Sequence, residues 1–192
     1  LSVLHVGENK LFLAPYLKDS EFSNQLKSLG FNLHYPDIEQ TSDYPNDAQL
    51  NVCLVGNTAI YNPDICPYSI ANLFTNKILV NQGYAKCSVC VVDEQSIITS
   101  DRGMYRSATA AGLDVLLINP GYIELEGFNY GFIGGATFKI SKHRLAFTGV
   151  LDSHPDKDKI LGFLNDREIE PIYLTNQPIF DIGSAIPISE KP

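Results

Sequence analysis

Ala136-Thr137-Phe138-Lys139-Ile140, Ser141-Lys142-His143-Arg144, Leu145-Ala146-Phe147-Thr148: this stretch and its sequel decide the fold. Two apolar-rich runs flank a polar four-residue turn, the pattern of a hairpin. Ile160, Leu161 and Leu164 then set an apolar stripe at helical spacing. Ser153 with Asp156 reads as a capping-box-like start, and Pro155 falls near the first helical position, where its missing N–H costs little. Ile169 to Leu174 reads as a third strand. The unit is strand, turn, strand, helix, strand. A module of this size buries its apolar face only against neighbours of its own kind, so further copies are expected.

Upstream, the order recurs three times. Val3-Leu4-His5-Val6 turns at Gly7-Glu8-Asn9 and returns along Leu11-Phe12-Leu13-Ala14. Phe22, Leu26 and Leu29 follow at helical spacing, with Asp19 or Ser20 as cap and Gly30 as stop, before the alternating strand 31–35. Val52 to Val55, Gly56-Asn57 and Ala59-Ile60-Tyr61 open the second unit; a short helix near 68–74 and the strand Ile78-Leu79-Val80 complete it. The third has Val89 to Val92, a turn at Asp93-Glu94, the strand 96–99, a helix from Met104 to Ala111 closed by Gly112, and the apolar run Val115 to Ile118. Phe180 to Ile188 starts a fifth unit that stops almost at once. The openings carry a shared Asn offset: Asn46 to Asn51, Asn129 to Gly134 and Asn176 to Asp181, with Asn81 before Ser88 two residues longer.

The expectation is therefore one α/β domain over 1–192, built from four ββαβ units and a partial fifth. The formal charge of -8 opposes phosphate backbones and anionic membrane surfaces, so neither nucleic acid nor membrane is an expected partner. No apolar run is long enough to span a bilayer. The start, Leu1 to His5, has no signal-peptide pattern, and it lacks an initiator Met, which reads as a trimmed beginning. Cys53, Cys66, Cys87 and Cys90 read as buried, reduced thiols compatible with the cytoplasm. Cys87 and Cys90 are taken to lie on one strand, where residues three apart face opposite ways, so the C-x-x-C spacing does not make a metal site. No phosphate-binding, nucleophile-elbow or zinc motif is present, and no metal or cofactor is expected.

Such units wrapped about an axis resemble the pentein fold, the five-bladed α/β propeller of arginine deiminase, dimethylargininase and the amidinotransferases. The likeness runs from Val3 to Ile188 and extends to an uncharacterised bacterial family of the same fold. Enzymes of the fold carry Glu-Gly-Gly-Asp at one unit opening, where the carboxylates grip a guanidinium. This chain has Ile133-Gly134-Gly135-Ala136 there. Where the enzymes have His-x-Asp, it has Ile179-Phe180-Asp181, and Ser184 to Pro192 holds no cysteine to match their C-terminal nucleophile. The resemblance thus implies the fold and not the guanidine chemistry, which needs the paired carboxylates, the general base and the thiol.

Candidate ligand-lining residues are Asp181, Gly134, Gly135, Asn51, Ser88, Asp101 and Arg102. Asp101 also reads as a helix cap and Arg102 as a solvated charge. His154 reads as an exposed loop histidine, and His5, His34 and His143 as strand or turn residues. Three functions fit. The first is binding of a small polar ligand in the central pocket. The second is a C–N bond hydrolase or amidinotransferase-like enzyme using Cys53 or Cys90 near Asp181. The third is a protein-interaction module presenting loop Tyr and Phe side chains.

Overall fold

The structure, a computed structural model, describes residues 1–188; the last four residues of the expected domain, 189–192, lie outside the described residues. Four three-stranded sheets share one topology. The first holds β1 (Val3–His5), β2 (Lys10–Leu13) and β3 (Asn32–His34); the second β4 (Cys53–Val55), β5 (Thr58–Tyr61) and β6 (Asn76–Leu79). The third holds β7 (Val89–Val91), β8 (Ser96–Thr99) and β9 (Asp114–Leu117), and the fourth β10 (Thr137–Ser141), β11 (Arg144–Phe147) and β12 (Glu170–Tyr173). In every sheet the first pair is antiparallel and the second parallel. Antiparallel neighbours need only a tight turn, whereas parallel neighbours need a crossover. Helices α1 (Glu21–Ser28), α2 (Tyr68–Ala71), α4 (Arg102–Ala110) and α5 (Lys157–Asn165) lie in those four crossovers, and a one-turn helix α3 (Ala85–Ser88) precedes β7.

Local chemistry sets these boundaries. The two-residue turn between β4 and β5 needs a positive φ, and Gly56 supplies it at +52°. Ser20 Oγ accepts the Ser23 N–H at 3.1 Å and starts α1; Asp101 Oδ1 accepts the Met104 N–H at 2.8 Å and starts α4. The central strand β8 is buried along its whole length, which explains its run of Ile97-Ile98 between Ser96 and Thr99. Met104 and Ala108 of α4 pack with Ile97, Val89, Cys53 and Ile60, so the core of the third sheet is continuous with that of the second. A larger cluster joins Cys90, Val92 and Ile98 to Phe147, Leu151, Ile160, Leu164 and Ile179.

Several details depart from the sequence reading. Helix α5 begins at Lys157, so Ser153 and Pro155 lie before it, and the Asp156 side chain makes no cap bond. Its carboxylate instead accepts from Asn119 N at 2.7 Å, Asn119 Nδ2 at 2.8 Å and Lys159 Nζ at 2.7 Å. Burial pushes this acid up, but the donors outweigh it and hold the pKa at about 2. His154 is buried, at 3% exposure, because its Nδ1 accepts the Asp156 N–H at 3.1 Å while Tyr122 covers the ring. Cys87 lies in α3 and not on the strand with Cys90, so the opposite-face argument does not apply to that pair. The fifth opening forms no sheet of its own among the described residues: Pro178 and Phe180 make single parallel bridges to Val150 and Glu124.

Candidate functional site

Edge strands β1, β4, β7 and β10 face a common axis: Leu4, Leu54, Val91 and Thr137, one from each, line the same small cavity of about 210 Å³. A second cavity of about 900 Å³ lies beside it and shares Leu1 and Ile186. Its polar residues include Asp47, Asn51, Cys87 and Asp181. Tyr84 and Phe132 stand at one side, with ring centroids 6.2 Å apart, and Phe22, Leu125, Phe128 and Tyr130 supply apolar wall.

The unit openings build the polar part. Asn51 precedes β4, and its Oδ1 accepts from Lys86 N at 2.7 Å and Cys87 N at 3.2 Å. These are N–H groups of the first turn of α3, which has no partners of its own for them, so the second unit caps the third. Asn51 Nδ2 donates to Cys87 Sγ at 3.3 Å, and the Cys87 thiol donates to Gly183 O at 2.9 Å. Asp181 stands at the corresponding place in the last opening. Its Oδ2 accepts from Phe132 N at 2.8 Å and its Oδ1 from Gly183 N at 2.7 Å. Two backbone donors therefore hold a carboxylate that is only 8% exposed.

Of the residues singled out in the sequence, Asn51 and Asp181 come together on the large cavity. Gly134 and Gly135 are buried beside it and not among its lining residues. A Cβ on Gly134 would overlap the backbone carbonyls of Val89 and Lys86, and one on Gly135 would overlap the Asp181 carboxylate. Close approach thus accounts for both glycines. Ser88 is buried, its Oγ has no partner among the described residues, and it does not line the cavity. Asp101 borders a neighbouring pocket, where Oδ1 caps α4 and Oδ2 accepts from Gln82 Nε2 at 3.2 Å; Arg102 is exposed.

Neither Cys53 nor Cys90 lines either axial cavity. Burial pushes the Cys53 thiol up to about 12 and the Cys90 thiol to about 11. Cys87 is the cysteine that lines the large cavity, and burial raises its pKa too. Asp47 and Tyr84 also escaped the sequence reading. Tyr84 OH donates to Asp47 Oδ2 at 2.8 Å, and burial first, then this bond, push the phenol up to about 12. Asp47 Oδ1 is shielded from solvent and has no hydrogen-bond partner among the described residues. The signal that pointed nearest to it was the Asn offset, since Asn46 precedes it directly.

Side-chain charge divides the two cavities, while the Leu1 ammonium, which lines both, donates to Asp47 O at 3.0 Å. Among the described residues, no Lys, Arg or His side chain lines the large one, while Asp47 and Asp181 do. The small one is lined by Lys86, Lys139 and His5 and, among the described residues, by no carboxylate. No group of three or more His, Cys, Asp or Glu among the described residues is arranged to hold a metal ion, and no described helix is long and apolar enough to cross a membrane.

The chain superposes on an agmatine deiminase from C. jejuni with a TM-score of 0.55 at 12% identity, covering 86% of this chain and 60% of that one. It superposes on an amidinotransferase from Microseira wollei with a TM-score of 0.52 at 12% identity, covering 90% of this chain and 62% of that one. Both are pentein-fold enzymes, and at such identity the likeness shows the fold alone: this is a pentein-like α/β propeller. The chain thus spans about three fifths of the length of these structures. No curated protein matches it. The family model that fits does so across residues 1–186, and the chain belongs to DUF6873, a family of unknown function.

Proposed function

We propose that this protein binds, and does not cleave, a small molecule in the large axial cavity, and that the ligand joins a cationic head to an apolar body. The observation that carries this reading is Asp47 Oδ1, a carboxylate oxygen with no donor, in a cavity with a second carboxylate and no basic side chain among the described residues. An unpaired carboxylate oxygen removed from water is costly, and an amine, amidine or guanidinium N–H offsets that cost with a charge-assisted bond. The surrounding rings of Phe128, Tyr130 and Phe132 favour a ligand that is not polar throughout. This refines the small polar ligand expected from sequence.

Binding without cleavage is supported by the state of the one cavity thiol. Burial keeps Cys87 protonated, and among the described residues no histidine lines the cavity to take its proton. Thermal-shift measurements against primary amines, amidines and guanidines, with and without aromatic tails, test the reading. The expected result is stabilisation by the cationic ligands with apolar tails, roughly tenfold weaker binding in Asp47→Asn, and no release of ammonia. A flat response across the panel, or ammonia release that stops on Cys87→Ala, contradicts it.

A further inference from the structure

The small axial cavity has the opposite character. Its ring of Leu4, Leu54, Val91 and Thr137 adjoins two ammonium groups, Lys86 and Lys139, in a protein whose formal charge is -8. Lys139 Nζ donates to Val92 O at 2.9 Å and Lys142 O at 2.6 Å. Lys86 is different. It is half-buried, it rises from α3 between the second and fourth units, and among the described residues the one acceptor of its Nζ is Gly134 O at 3.4 Å. Among the described residues it forms no ion pair. An ammonium carries three donors, so two are left over. A cation held among Val52, Leu54, Val91 and Phe138 with no counter-charge among the described residues loses hydration without recovering it from them.

We infer that the small cavity is an anion site, in which Lys86 Nζ binds a compact oxyanion, the carboxylate or phosphate group of a small molecule. Its volume of about 210 Å³ admits such a group and excludes a large one. Thr137 contributes no donor, because its hydroxyl already donates to Ile133 O at 2.7 Å. The site is distinct from the acidic cavity, so the two readings stand or fall separately.

Thermal unfolding of the full chain at fixed ionic strength, with chloride replaced stepwise by inorganic phosphate or by acetate, tests the inference. The expected result is a saturable rise in Tm with at least one of them, about 5 °C at a hundredfold excess over the dissociation constant. A response to phosphate alone identifies phosphate, a response to acetate alone identifies carboxylate, and a response to both identifies either oxyanion. Lys86→Met and Lys86→Gln should lose the rise, and Lys86→Arg should retain part of it. If neither anion exceeds chloride for the wild type, or if Lys86→Met and Lys86→Gln respond as the wild type does, the inference is wrong.

Discussion

His154 shows how a single residue sets a property of the whole chain. Burial lowers its pKa, so the folded protein holds the ring neutral. The unfolded chain takes up a proton below about pH 6.5, where the folded chain resists it. The resulting stability is complete above that pH and declines as the pH falls toward the depressed folded value. Urea denaturation between pH 5 and 8 should show a slope of up to about 1.4 kcal/mol per pH unit at the acid end. His154→Asn, whose amide oxygen can still accept the Asp156 N–H, should flatten that slope; an unchanged slope would assign it to other groups. Little of this was legible in the sequence. A histidine flanked by Asp152, Ser153, Pro155 and Asp156 looks solvated, and only the fold brings Tyr122 over it. The same holds for Cys87 and Asp47, whose neighbours in the cavity come from other units. Asp181 and Asn51 were legible, because each stands at a unit opening that recurs along the chain. Their roles were not: each spends acceptor capacity on the backbone N–H of another unit.

At the level of elements, the strands and crossovers could be read with few errors. Two-residue periodicity, Gly56-Asn57 and the helix stops at Gly30 and Gly112 are local signals, and the structure keeps them. What failed was an element with no local signal. Helix α3 is one turn long and has no amphipathic stripe; it is held by Asn51 from the preceding unit. The start of α5 failed for a related reason, since a long-range partner, Asn119, takes the carboxylate that would have capped it. Gly134 tests how closely these elements must meet. Its residue type is set by the carbonyls of Lys86 and Val89, backbone atoms that cannot swing away. Gly134→Ala should therefore destabilise the protein by about 3 kcal/mol in chemical denaturation. Gly162→Ala is the control: it lies within α5 with nothing within 4 Å of the added methyl, and it should be neutral or slightly stabilising. Equal effects at both positions would remove the packing argument.

For the whole molecule, four sheets of one topology each bring an edge strand to the small cavity, and the large cavity lies beside it. The order of elements in the sequence carried the resemblance to the pentein fold, since a ββαβ unit whose second and third strands are parallel covers its apolar face only against neighbours. The polarity of the two cavities did not, because it depends on which side chains reach them from 47, 84, 86 and 181. That polarity is the central claim about function, and one calorimetric titration tests it directly. Benzamidine and benzamide share a ring and nearly a shape, and differ in charge. The acidic cavity predicts that benzamidine binds at one site, with an affinity at least tenfold above that of benzamide, about 1.4 kcal/mol. Equal affinities, or no heat from either compound, would contradict it.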